Sequence, residues 1–237
     1  METVPAYVSI TFILSTFAAI AFLIRATRVA GLQTLPAKLI VFLLPLWIFF
    51  QAALSITGFY EDLTSVPPRL ILTGIMPALF LVILYLTAFR RQYVDRLPLR
   101  MLTLLHVVRI PIELVLLWLS FAGQVPQMMT FYGLNFDMLA GLAAPFIAVA
   151  GFRGGKVRRG ILIGFNTISL LLLLNIISIA ALSLPSAFQL LNFDQPNRAV
   201  LEFPYVFLPT IVVPIVLFAH LVSLLRLLRQ TEQFKQQ

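Results

Sequence analysis

The chain has 237 residues, of which 60% are hydrophobic and only 11% charged, with a mean hydropathy of +0.99 and a formal net charge of +8. A soluble domain needs roughly a quarter of its residues charged to cover its surface, so this composition excludes a water-soluble globule and demands lipid as the solvent. The apolar runs are continuous rather than alternating, which excludes a β-barrel and leaves spanning helices, while the absence of Cys removes disulfides, thiolate catalysis and iron–sulfur ligation.

Runs of about 20 apolar residues, enough to cross a hydrocarbon core of about 30 Å, occur near residues 5–25, 36–57, 69–90, 100–122, 136–152, 159–183 and 203–228. The expected fold is therefore all-α: one polytopic membrane domain over residues 1–237 with seven transmembrane helices. The first run follows Met-Glu-Thr without a basic flank, so it reads as a retained span rather than a cleaved signal. Pro45, Pro77, Pro111 and Pro145 interrupt the second to fifth spans, and Pro204, Pro209 and Pro214 punctuate the seventh; kinks are expected there. The small residues of "LAGLAAPFIAVAG" and the Gly160-x-x-x-Gly164 spacing suit close helix approach in the fifth and sixth.

The fourth span, "LLHVVRIPIELVLLWL", holds the costliest residues. His106, Arg109 and Glu113 recur at i, i+3 and i+7, within a face about 60° wide. An arginine at mid-membrane costs about 2.5 to 3.5 kcal/mol on insertion scales, so an Arg109–Glu113 pair at i, i+4 is expected. The face suits either a structural ion pair or a proton relay, ion path or ligand site, with Asn166 and Asn175 of the sixth span as hydrogen-bonding neighbours. His106 lies six residues after Arg100 and His220 six before Arg226, so on helices of opposite direction the two imidazoles share a depth, roughly 9 Å from one interface by helical rise.

Fourteen of the 17 Lys and Arg lie on one side of this topology: Arg25, Arg28, Lys38, Arg90, Arg91, Arg96, Arg100, Arg153, Lys156, Arg158, Arg159, Arg226, Arg229 and Lys235. Arg69 and Arg198 alone face the other side. The positive-inside rule then sets the N-terminus outside and the C-terminus in the cytoplasm, and the net charge serves topology and anionic lipid rather than nucleic acid.

Six acidic residues fall on the outer side: Glu2, Glu61, Asp62, Asp137, Asp194 and Glu202. The tetrapeptide Leu-Asn-Phe-Asp occurs there twice, ending at Asp137 and at Asp194. Two readings stand. Each Asp caps an inward-running helix, or Asn135, Asp137, Asp194, Gln195, Asn197 and Arg198 line one outward-facing polar cavity for a small polar solute or ion.

Hydrolase, metalloprotease, P-loop and dinucleotide motifs are absent from the sequence, and every Lys sits at a span end, which excludes a retinal Schiff base. No catalytic residue, metal site or cofactor is predicted; a b-type haem between His106 and His220 stays as an alternative. The segments "MTFYGLNFDMLAGLAAP" and "LLNFDQPNRAVLEFPYVFLPTIVVPIV" resemble those of uncharacterised seven-span bacterial inner-membrane proteins, a resemblance that implies a bacterial cytoplasmic membrane and transfers no site. The function expected from the sequence is binding or moving a small polar solute or ion. A sensor or assembly subunit acting through a protein partner is the alternative.

Overall fold

The structure, a computed structural model, describes residues 4–235; Glu2 and the side chain of Lys235 lie outside what is described. All seven apolar runs are helical, and no strand occurs among the described residues. The helices are α1 (Ala6–Ala30), α2 (Leu35–Ile56), α3 (Ile71–Thr87), α4 (Leu99–Phe121), α5 (Asp137–Ala150), α6 (Arg159–Leu182) and α7 (Leu208–Lys235). Helices α1, α2, α4, α6 and α7 are long and apolar enough to cross a membrane, whereas α3 and α5 are shorter. The seventh helix starts later than its apolar run, because Phe203 to Val206 form turns.

The polarity is inside-out relative to a soluble fold. Phe49, Phe121 and Phe146 are about three-quarters exposed, while Gln51, Asn135, Asn166, Arg109, Glu113 and His220 are buried. Exposed phenylalanines on lipid-facing surfaces cost nothing, whereas an unsatisfied polar group there costs several kcal/mol. Helix α7 occupies the centre, against α6, α4, α3 and α1, and α5 packs on α4 and α6. Helix α2 is peripheral and buries only Pro36, Ala37, Gln51 and Ser55.

That inward polar edge of α2 has a specific task. In an α-helix the N–H of residue i bonds the carbonyl of residue i−4, so Pro77 and Pro214 release the carbonyls of Thr73 and Thr210. Gln51 Nε2 donates to the Thr73 carbonyl at 3.0 Å, and Trp47 Nε1 donates to the Thr210 carbonyl at 3.0 Å. Both prolines follow a widened π-turn, Ile71–Ile75 in α3 and Leu208–Val212 in α7. In α4 the expected break at Pro111 appears as a tightened 3-10 turn at His106–Val108.

Helix α5 corrects the sequence reading in one respect. Asp137 does not enter from the outer surface; it pairs with Arg109, near the middle of α4. Asn135, two residues before α5, bonds Glu113, and eight residues separate Glu113 from the end of α4 at Phe121, so α5 starts about 12 Å of helical rise below that end. The chain between α4 and α5 folds back into the bundle to reach it. Gly141 permits this, since a Cβ there would come within 2.9 Å of Ile110 Cγ1 and 3.2 Å of the His106 carbonyl.

Candidate functional site

Four helices converge on Arg109. Its Nε donates to Asp137 Oδ2 at 2.6 Å and an Nη2 hydrogen to Asp137 Oδ1, a bidentate, charge-assisted pair. The guanidinium also donates to the Ser169 carbonyl of α6 at 3.2 Å and to His220 Nε2 of α7 at 3.3 Å. Four of its five donors are thereby engaged, and the side chain is 3% exposed. The partner of Arg109 is thus Asp137 on α5, not Glu113 on its own helix.

Because guanidinium only donates, His220 Nε2 is the acceptor, which fixes the tautomer. The Nδ1–H then donates to Asn166 Oδ1 at 2.9 Å, and Asn166 Nδ2 donates to the Leu162 carbonyl at 2.8 Å. His220 stacks on His106 with ring centroids 3.9 Å apart and planes 12° from parallel, so the matched depths do bring the rings face to face. His106 is fully buried, and neither of its ring nitrogens has a hydrogen-bond partner.

Glu113 follows different logic. Both its carboxyl oxygens accept from Asn135 Nδ2 at 2.7 Å, and no salt bridge to it occurs among the described residues. Asn135 also donates to the Met129 carbonyl at 2.9 Å, while its Oδ1 accepts the Asp137 backbone N–H at 3.0 Å. The capping oxygen at the α5 N-terminus therefore belongs to Asn135, and the Asp137 carboxylate is free for Arg109. Arg109 pairs with one of the two carboxyl groups, Asp137, and the other, Glu113, is held by the Asn135 amide.

These groups line a chamber of about 330 Å³. Arg109, Glu113, Asp137 and Asn197 are among its polar lining, and Ile75, Ile112, Leu173, Ile176, Val212 and Val216 are among its walls, contributed by α3, α4, α6 and α7. The cavity expected as polar is mostly apolar, with a few charged and amide groups in its lining. A second chamber of about 360 Å³, on the other side of α7, is lined by Leu43, Trp47, Tyr85 and Phe218 among others and holds no charged residue.

The remaining predicted residues separate. Asp194 and Arg198 are exposed. Gln195 Nε2 donates to the Ser120 and Val125 carbonyls, and the Arg198 backbone N–H donates to the Gln124 carbonyl, so this loop clamps the turn after α4. Asn175 is exposed, and its Nδ2 donates to the Leu134 carbonyl at 2.8 Å, one residue before Asn135. Of Asp194, Gln195, Asn197 and Arg198, Asn197 lines the chamber; its Nδ2 donates to the Ala180 carbonyl at 3.3 Å, and its Oδ1 is buried without a partner among the described residues. The second Leu-Asn-Phe-Asp copy differs throughout: Asn192 has φ of 55° and its Nδ2 donates to Ser183 Oγ at 2.7 Å. Sequence reasoning missed the apolar chamber and the Ser169 and Leu162 carbonyls, which carry no side-chain signal.

The fold and this buried cluster define an all-helical, multi-pass membrane protein. The chain belongs to the family described as a domain of unknown function (DUF8737), whose match covers residues 66–228. That stretch holds α3 to α7 and every residue of the Arg109 cluster, leaving α1 and α2 outside it. Comparison with curated proteins found no match, and comparison with solved structures found none.

Proposed function

We propose that this is a seven-span protein of the bacterial cytoplasmic membrane, N-terminus outside, that binds or moves a small amphiphile: an apolar body against the chamber's aliphatic walls and a polar head at the charged and amide groups that line it. Chambers of a few hundred Å³ with mostly apolar walls and a few convergent polar groups are the usual form of ligand sites. The chemistry of the head follows from which atoms lack partners. Arg109 spends four of its five donors within the protein, whereas among the described residues Glu113 has no salt-bridge cation and Asn197 Oδ1 has no donor. Both are acceptors. The complementary head is a hydrogen-bond donor, an alcohol or an amine, and a protonated amine would also balance the second carboxylate.

The single observation that carries this reading is the buried, unpartnered Asn197 Oδ1, which lines the same chamber as Glu113. Purification into nanodiscs of defined phospholipid, followed by mass spectrometry of retained small molecules, tests it. An alcohol- or amine-headed amphiphile is expected in near-stoichiometric amount from the unaltered chain and at least ten-fold less from Asn197→Leu. Retention of acidic amphiphiles only, or of none, would defeat the reading.

A further inference from the structure

The chamber leaves His106, His220 and Ser223 unexplained. His106 has two unpartnered ring nitrogens, and Ser223 Oγ is also buried without a partner. Ser223 lies one helical turn beyond His220 on α7, and Thr103 one turn before His106 on α4; all four are at most 2% exposed. Further along the same two helices come Arg100 and Arg226, with Arg226 Nη1 donating to the Leu97 carbonyl. A stripe of polar side chains therefore runs down the α4–α7 seam from Arg109 to the arginine-rich end of the bundle. Orphaned buried polar atoms in such a stripe are where ordered water is expected.

We infer that the stacked imidazoles are a proton-binding site reached from the arginine-rich end, with Arg109 as its stop. Nε2 of His220 either accepts from Arg109 or carries a proton, never both, so protonation there and the present position of Arg109 exclude one another. A proton arriving by water along Ser223 and His106 passes from a hydronium to a ring nitrogen lone pair: one O–H bond breaks, one N–H bond forms, and neutral water is left. The charged and titratable groups facing the stack are Arg109 on α4, with Glu113 beyond it, and Asp137 on α5; α6 presents Asn166, Ser169 and Phe165, which do not titrate. An arginine cannot hand on a proton, so its guanidinium separates the seam from the chamber carboxylates. This inference is independent of what fills the chamber.

Two measurements in vesicles and nanodiscs of synthetic phospholipid test it. With trapped pyranine and a potassium potential set by valinomycin, Arg109→Gln should pass protons at least ten-fold faster than the unaltered chain. Arg109→Gln/His106→Gln and Arg109→Gln/His220→Gln should return to the unaltered rate. In the unaltered chain, deuterium exchange of the imidazole C2 hydrogens of His106 and His220 should change with pD, and should be slowed several-fold by Ser223→Val. A folded Arg109→Gln protein that stays proton-tight, a leak that survives removal of either histidine, or His106 exchange that is flat with pD would each overturn the inference. The exchange measurement decides the matter where Arg109→Gln does not fold.

Discussion

The pairing of Arg109 with Asp137 sets up a double-mutant cycle with a definite sign. Arg109→Leu strands the Asp137 carboxylate, which is 5% exposed and loses both charge-assisted bonds. Breaking a buried pair from one side costs about 3 to 5 kcal/mol, because the other charge stays buried without compensation. For a chain of this size about 2 to 4 °C of Tm accompanies each kcal/mol, so a fall of roughly 6 to 20 °C is expected in nanodiscs. Asp137→Leu strands the guanidinium and should cost as much. The double change Arg109→Leu/Asp137→Leu strands neither and should melt above both single variants, giving a coupling of at least about 2 kcal/mol. A parallel cycle between Arg109→Leu and Glu113→Leu should couple by less than about 1 kcal/mol, since Glu113 is held by Asn135 rather than by Arg109. Larger coupling to Glu113 than to Asp137 would refute the assignment of partners.

The two Leu-Asn-Phe-Asp copies should respond unequally. Asn135→Ala removes the cap of α5 and the donor to Glu113 together and should cost about 1 to 3 kcal/mol in thermal unfolding, whereas the exposed Asp194→Asn should stay within about 0.5 kcal/mol; equal effects would mean the copies do the same job. Gly141→Val should lower stability by about 1 to 3 kcal/mol through overpacking against Ile110 and the His106 carbonyl. An unchanged Tm would show that α5 does not rest on α4 there.

The helical segments were legible because lipid accepts only continuous apolar stretches with satisfied backbones. The face of His106, Arg109 and Glu113 was equally legible, since three ionisable residues at i, i+3, i+7 leave nowhere else to converge. The partner of Arg109 was not. The i, i+4 rule favours an acid before its base, and here the base comes first; helical side chains also lean toward the N-terminus, carrying the guanidinium away from Glu113. Asp137 was read as a cap because it starts a helix, yet Asn135, two residues earlier, has the reach to take that role. The chamber left no mark, because Ile112 or Val216 lining a space looks in sequence the same as Ile112 or Val216 filling one. Helix α5 did carry a signal: its 14 residues are short for a span, the length of a re-entrant segment.

That short helix constrains how the chain is put together as it is made. Arg109 is synthesised 28 residues before Asp137, and Ser169 and His220 come later still, 60 and 111 residues after it. When α4 first meets the bilayer its guanidinium has none of its final interhelical partners, and a lone arginine at that depth is costly. Asp137 is the first to emerge, on a segment that starts at the level where the charge needs it. The expected order is that α4 and α5 leave the insertion machinery as one unit, the arginine neutralised by the aspartate that follows it, before α6 and α7 close around the pair.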